Sequence, residues 1–390
     1  MTAIPRGDAL ALARALVAVD SRNPSLTAGA PGEGAVAALL AGVLRDWGFA
    51  VEVHDAAPGR PNVVARIGGF GAGAPTLMFN GHLDVVGTEG MAHAPFDPVV
   101  REGRLHGRGA ADMKGGIAAM CAAALRAADA GIAGGLVIAA VADEEYGSAG
   151  TRALVARGVR ADAAIVTEPT RLAIMPAHRG FVWLEVLVHG VAAHGSRWEI
   201  GVDAIRHAGL LLAELDRVDA ELLPTRSHPL LGRPSLHASL IEGGTGMSTY
   251  PDRCLLRLER RTIPGEPAEA VLAEVEEAMA RVRTRRPGFS AEVRVTLAQP
   301  PSDVAPGAPV VRELEAAARE AGGAAPAIEG MSAWTDCAIL NAAGIPAVCF
   351  GPGDIAQAHA AEEWIIIEEI ERATATLAGL ARRWCNGQGS

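Results

Sequence analysis

The sequence predicts an α/β protein with a mainly parallel sheet flanked by helices, interrupted by an α+β insertion. Three observations predict it. Short apolar runs alternate with amphipathic or alanine-rich helical stretches between residues 50 and 170, the pattern of a sheet covered on both faces. Near residue 180 the texture changes to half-exposed alternating strands in the order β-α-β-β-α-β, the ferredoxin-like unit. After Pro300 the α/β character resumes, so 1–179 and 298–390 are expected to form one domain, with 180–297 inserted into it. At 390 residues the chain exceeds one ordinary core, in keeping with two domains.

Residues 8–18 and 34–47 read as amphipathic helices separated by Pro24 and Gly32. Strands follow near 50–54 and 62–67, and a glycine-rich turn spans 68–73. Pro75–Phe79 is a buried strand running into Asn80-Gly81-His82-Leu83-Asp84. An alanine-rich helix over 114–130 precedes the β-run Leu136–Val141, a helix over 148–157 and the strand Ala163–Val166. In the insertion, strands are expected at 181–188, 235–241, 254–261 and 291–297, and helices at 201–216 and 266–284. Helices over 308–321, 335–343 and 363–384 and a strand at 347–350 complete the first domain, and Asn386–Ser390 is expected to fray.

Hydrophobic residues make up 49% of the chain and charged ones 21%, which suits a packed globular protein and argues against disorder. No apolar run approaches the ~18–20 residues that cross a bilayer, and the N-terminus lacks a basic segment followed by an apolar one, so neither a membrane partner nor a leader is expected. The net charge of −10 argues against nucleic acid as a partner. Five scattered cysteines without a C-x-x-C pair read as reduced, buried thiols of a cytoplasmic protein. A single lysine, Lys114, among 35 lysines and arginines marks a compositional bias, so arginine abundance alone is no sign of anion recognition.

The chemistry sits where apolar runs end. His82 and Asp84, two residues apart in extended chain, point the same way, the geometry in which a carboxylate holds one imidazole nitrogen while the other binds a metal. Asp112, Glu145, Glu168 and His359 also follow strand-like runs, and open α/β sheets build their sites at the carboxyl ends of strands. Two nitrogens and three carboxylates suit zinc or a similar divalent ion, and three negative charges are better balanced by two cations sharing a carboxylate than by one. Adjacent residues in extended chain face opposite sides, so Glu144 and Glu145 are not expected on one ion, and one of the two is free to act as general base. Most Glu-Glu pairs are solvated turns, but this one directly ends the buried run Val137–Val141.

These motifs, G-H-x-D at 81–84, G-R-G-A-x-D-M-K-G-G at 107–116, D-E-E-x-G-S-x-G at 143–150, T-E-P-T at 167–170 and A-H at 358–359, resemble the M20 family of metallopeptidases and deacylases. The family includes acetylornithine deacetylase, succinyl-diaminopimelate desuccinylase, aminoacylase and glutamate carboxypeptidase. The resemblance runs in order over nearly the whole chain. It implies a catalytic domain carrying two Zn2+ (Co2+ or Mn2+ substituting) and an inserted lid/dimerisation domain that makes a homodimer. Asp112 would bridge the metals, His82 and Glu168 would complete one site and Glu145 and His359 the other, Asp84 would orient His82, and Glu144 would be the base.

In the lid, His194 would reach the partner's active site to stabilise the oxyanion, and Arg261 would grip a substrate carboxylate. The alternative for Arg261 is a surface arginine in an arginine-rich chain, and for the Gly243–Gly246 turn, with Gly244 a candidate for close approach to substrate, a plain hairpin loop. Many relatives carry an asparagine where this chain has Ser248, so that contact departs from the family. His93 and His106 read as packed or surface histidines, and His178 as either structural or cleft-lining. The expected activity is hydrolysis of the amide of an N-acyl amino acid, acetylornithine deacetylase-like. The alternatives are a metallo-carboxypeptidase or dipeptidase on the same scaffold, or a non-catalytic metal-binding protein.

Overall fold

The computed structural model describes residues 4–322 and 324–388. The chain begins with α1 (Ala9–Val17) and α2 (Gly34–Asp46), followed by β1 (Ala50–Ala57), β2 (Arg60–Gly68) and β3 (Thr76–His82). The short strands β4 (Val99–Arg101) and β5 (Arg104–His106) lead to α3 (Gly115–Asp129), β6 (Gly135–Val141), α4 (Ala149–Ala156), β7 (Ala163–Val166) and β8 (Ile174–His178). Next come β9 (Gly180–His189), α5 (Ala204–Arg217), β10 (Ser235–Gly243), β11 (Arg253–Thr262), α6 (Ala268–Arg285) and β12 (Ser290–Gln299). The chain closes with β13 (Ser302–Asp303), α7 (Pro309–Gly322), β14 (Ile328–Met331), α8 (Cys337–Ala342), β15 (Ala347–Cys349), β16 (Trp364–Ile366) and α9 (Ile367–Arg383).

Two compact units result: 1–176 with 304–329 and 335–390, and 177–303 with 330–334. Residues 177–179, 298–303 and 330–334, expected in the first domain, group with the second unit. In the first unit the sheet runs β1-β2-β6-β3-β7-β15-β8. It is parallel only at its centre, where β6, β3, β7 and β15 lie side by side, and antiparallel at β1/β2, β2/β6 and β15/β8. The expected mainly parallel sheet is therefore a mixed one. Its first hairpin turns at Pro58-Gly59, too tight for the crossover that parallel strands require.

Burial separates the two kinds of strand. β6 is buried at every residue, the signature of a strand covered on both faces, whereas β9 alternates buried and partly exposed positions. The alanines of α3 let that helix lie buried on nearly all sides, with α1 and α9 packed against it and β3 and β6 beneath. At Gly116 any Cβ would fall 2.0 Å from the Thr167 carbonyl oxygen, so only glycine allows α3 this close to the end of β7.

The second unit follows the order β-α-β-β-α-β, folded as an antiparallel sheet β10-β11-β9-β12. α5 and α6 cover one face, over Val182, Leu184, Val186, Val188, Leu256 and Leu258. All five cysteines are free and buried. The end expected to fray is instead wound as a turn, Trp384–Gln388, with Asn386 Oδ1 accepting from Ala133 N at 3.0 Å. Residues 389 and 390 lie outside the described residues. Among the described residues no helix is long and apolar enough to cross a membrane.

Candidate metal centre

β3 carries His82 at its last residue, fully buried. Its Nδ1 lies 2.9 Å from the main-chain oxygen of Asp84, while the Asp84 carboxylate is 3.7 Å away, beyond hydrogen-bond distance. The expected carboxylate–imidazole hold is thus a carbonyl–imidazole hold, because the chain leaves the strand at His82 and the two-residue alternation stops there. The carboxylate turns the other way and accepts Glu144 N at 3.1 Å, Glu145 N at 3.2 Å and Asn23 Nδ2 at 2.8 Å.

His82 Nε2 meets Asp112 Oδ1 at 2.9 Å, and the second Asp112 oxygen lies 3.5 Å from His359 Nε2. Asp112 sits on the Ala110–Lys114 turn that opens α3, and its peptide bond to Met113 is cis. The turn after β6 begins at Asp143 in the left-handed region, φ +68°, and separates the glutamates. Glu144 Oε2 approaches His82 Nε2 at 3.9 Å, whereas Glu145 Oε2 is 3.0 Å from His359 Nε2. Glu168 follows β7 and comes within 4.0 Å of His82 Nε2. His359, half exposed, stands on the loop after β15 at φ +59°.

Two ligand trios result, His82–Asp112–Glu168 and Asp112–Glu145–His359, and within each the ligand atoms all lie within 4.8 Å of one another. Asp112 belongs to both. Burial alone would raise the Asp112 carboxyl, but His359 and His82 outweigh it and hold it far below the usual range. Burial pushes Glu168 well up and Glu145 up to about 7, with Asp112 adding to both. Asp112 and Glu145 raise His359 to about 10. Crowded carboxylates and imidazoles that perturb one another this way are what a divalent cation would relieve, and the buried Glu145 Oε1 has no hydrogen-bond partner. The nitrogen and oxygen donors fit zinc, with cobalt or manganese as substitutes. Burial also raises Glu144 well above the carboxylate range, Glu168, Asp336 and Glu145 adding to the push and His82 opposing it.

Several groups around this centre carried no local signal in the sequence. Asn23 Nδ2 bridges Asp84 and, at 3.1 Å, Asp143. Glu33, fully buried, accepts Arg60 through both oxygens at 2.5 Å and Asp143 N at 3.1 Å. Asp336 stands at the N-cap of α8, where a cap would be its ordinary reading. Its side chain instead turns to Thr151 Oγ1 at 2.6 Å.

The second unit holds the other candidates. His194 is exposed, and its Nδ1 accepts Ser196 N at 3.2 Å, which leaves Nε2 as the N–H of the neutral ring. Ser248 lies alongside, its carbonyl accepting Gly195 N at 2.7 Å. Gly244 is at φ +82° on the turn after β10. Of the adjacent arginines, Arg260 is buried in contact with Glu266 and Glu274. Arg261 is the accessible one, paired with Glu259 at 2.6 Å and lying over the Phe181 ring. His178 is buried edge-on to Trp334 within this unit.

A mixed α/β sheet whose strand ends gather two metal-ligand trios around one shared aspartate, with a further glutamate beside them, defines a two-metal amide hydrolase. Comparison with known proteins agrees. Residues 78–383 match the model of Peptidase family M20/M25/M40, and the chain belongs to that family. It is 34% identical over 348 residues to an acetylornithine deacetylase of Myxococcus xanthus, covering 87% of this chain and 90% of that one. It is 32% identical over 378 residues to an N-formyl-4-amino-5-aminomethyl-2-methylpyrimidine deformylase of Bacillus subtilis, covering 89% and 88%. In fold it is similar to the aminopeptidase PepT of Bacillus cereus, with TM-score 0.79 and 23% identity over 97% of this chain and 98% of that one. An M20 family metallo-carboxypeptidase of Sulfolobus solfataricus has the same TM-score at 18% identity, covering 97% and 99%.

Proposed function

We propose that the protein hydrolyses the amide of an N-acyl amino acid, acetylornithine deacetylase-like, with Asp112 shared between a zinc ion held by His82 and Glu168 and another held by Glu145 and His359. The observation that carries this is Glu144. Its carboxylate lies 3.9 Å from His82 Nε2 yet belongs to neither ligand trio, the position of a base rather than a ligand. When bound, the two cations polarise the scissile carbonyl and acidify water. Glu144 takes the water's proton and returns it to the leaving amine, its main chain held by Asp84. Asp84 thus serves the base directly and His82 through its carbonyl oxygen.

The second unit is read as the lid. His194 donates Nε2–H to the oxyanion, in the partner subunit's site, and Arg261 takes the substrate carboxylate, with Ser248 and Gly244 shaping the approach. A homodimer is supported by β10, an edge strand exposed over most of its length with Leu240 and Ile241 more than half exposed, and by Trp198 at 77% exposure. Buried free cysteines support a cytoplasmic setting.

A second reading has its own support: the 32% identical deformylase acts, by its name, on a formamide of an aminomethylpyrimidine rather than on an amino acid. The test is a turnover screen after zinc, cobalt or manganese loading. It covers N-acetyl, N-succinyl, long-acyl and aryl-acyl amino acids, dipeptides, and that N-formyl pyrimidine. Highest kcat/KM on an N-acyl amino acid is expected. Turnover of dipeptides alone would make it a peptidase, and turnover of the formamide alone a deformylase. No turnover with both metals bound would leave a non-catalytic metal-binding protein.

A further inference from the structure

Four residues after His359 the chain carries Glu363, fully buried and outside both ligand trios. Both of its oxygens are used on the segment that bears Asp112. Oε2 accepts Arg108 Nη1 at 2.7 Å and Gly109 N at 3.0 Å. Oε1 accepts Ala111 N at 3.0 Å and Asp112 N at 3.1 Å. Arg108 reaches further along the same loop, to the Ala360 carbonyl at 3.4 Å, and Glu363 O accepts Gly107 N at 3.2 Å. A buried carboxylate with four charge-assisted donors is a strong local restraint.

The restraint continues the pairing of β5 with β16, in which Trp364 lies opposite His106, up to Asp112 itself. His82 and Glu168 come from adjacent parallel strands, β3 and β7, whose register fixes them independently of residue 363. Asp112 and His359 instead stand on irregular backbone, one on the turn before α3 and the other on a loop with a left-handed φ. Their 3.5 Å separation depends on how those loops are held together. We propose that Glu363 is a positioning residue that sets the Asp112–His359 spacing and thereby selectively secures the metal at Asp112, Glu145 and His359. The inference rests on the assignment of those three residues as one metal site.

Zinc binding to the metal-stripped protein, followed by calorimetry and by metal analysis after dialysis, tests it. The wild type should bind two ions per chain. Glu363→Gln keeps the size but replaces one acceptor by an NH2 group facing N–H donors. It should leave one binding step within threefold of wild type and weaken the other about 10–100-fold, the usual cost of losing a group that orients a ligand. His359→Ala should lose the same step, and adding Glu363→Gln to it should cost nothing further at the remaining site. Arg108→Met, which keeps the carboxylate and its three main-chain donors, should weaken the same step by less. If Glu363→Gln does not fold, the Arg108→Met pattern decides alone.

Two ions bound by Glu363→Gln with wild-type affinities would overturn the proposal. So would an equal weakening of both steps with a lowered melting temperature of the metal-free protein, since that is plain destabilisation. A wild type that binds fewer than two ions would instead overturn the metal assignment beneath it.

Discussion

His82 and His194 are both imidazoles expected to act in the reaction, and their surroundings differ at every level. His82 ends a central strand, is 1% exposed at its side chain, and has each ring nitrogen engaged by groups 2.9 Å away. His194 lies on an exposed turn, its Nδ1 engaged by the hydroxyl and main-chain N–H of Ser196, two residues on. The first unit brings its candidate ligands together through its own buried carboxylates, which hold main-chain N–H groups: Asp84 under Glu144 and Glu145, Glu33 under Asp143, Glu363 under Asp112. The second unit's candidates, His194 and Arg261, instead lie on accessible surface. Changes in the first should therefore alter chemistry or metal binding without regard to association, and changes in the second should act through what covers it.

The largest effect separates the base from the ligands. Glu144→Gln should keep two metals per chain and the wild-type melting temperature while kcat falls about 10²–10⁴-fold. The main-chain N–H that Asp84 holds is untouched by this change, so the turn should survive it. Near wild-type turnover would place the base elsewhere, and loss of a metal ion would make Glu144 a ligand.

His194→Ala should lower kcat about 10²–10³-fold, the scale of one lost oxyanion donor, and leave metal content unchanged. The decisive measurement mixes this variant with Glu144→Gln. If each His194 serves the partner subunit, the mixed dimer has one site with both groups intact, and random exchange should restore about a quarter of wild-type turnover. No recovery after verified subunit exchange would confine His194 to its own chain and erase the contrast drawn between the two units.

What the sequence disclosed follows the same division. The five candidate ligands stood out because each follows a strand-like run toward one edge of the sheet, and Glu144 because it doubles one of them directly after β6. The family match over residues 78–383 bears out the resemblance read from those motifs. Asn23, Glu33, Arg60 and Glu363 were not legible. Each works through a partner between 27 and 255 residues away, and an isolated polar residue carries no local mark of that. The sheet failed for a related reason. The β1–β2 hairpin is local, but that β2 pairs antiparallel with β6 rather than with β3 depends on residues 67 to 77 positions apart. The Asp84 carboxylate misses His82 for a geometric reason: the period of two was carried two residues past the strand's end, and the main-chain oxygen of Asp84 meets the ring instead.

The smallest effect concerns the second unit's own stability. Burial pushes the His178 imidazole down to about 4 from 6.5, and its Nε2 has no partner to receive a proton's charge. Below pH 6.5 the unfolded chain takes up a proton that the folded chain refuses until about pH 4, so stability falls as pH falls across that window and is fully retained above it. The loss should be about 1 kcal/mol by pH 5.5 and on the order of 3 kcal/mol by pH 4. His178→Asn keeps a donor toward the Arg179 carbonyl, which Nδ1 meets at 2.9 Å, and removes the titration. It should start less stable at pH 8, having lost the edge-on contact with Trp334, and then lose less on acidification than the wild type. Denaturant melts of the metal-free proteins at pH 8, 6.5 and 5.5 measure the difference without the ligand carboxylates' metal release intruding. Parallel curves would mean that His178 protonates in the folded chain as readily as in the unfolded one, and that its burial is looser than that of His82.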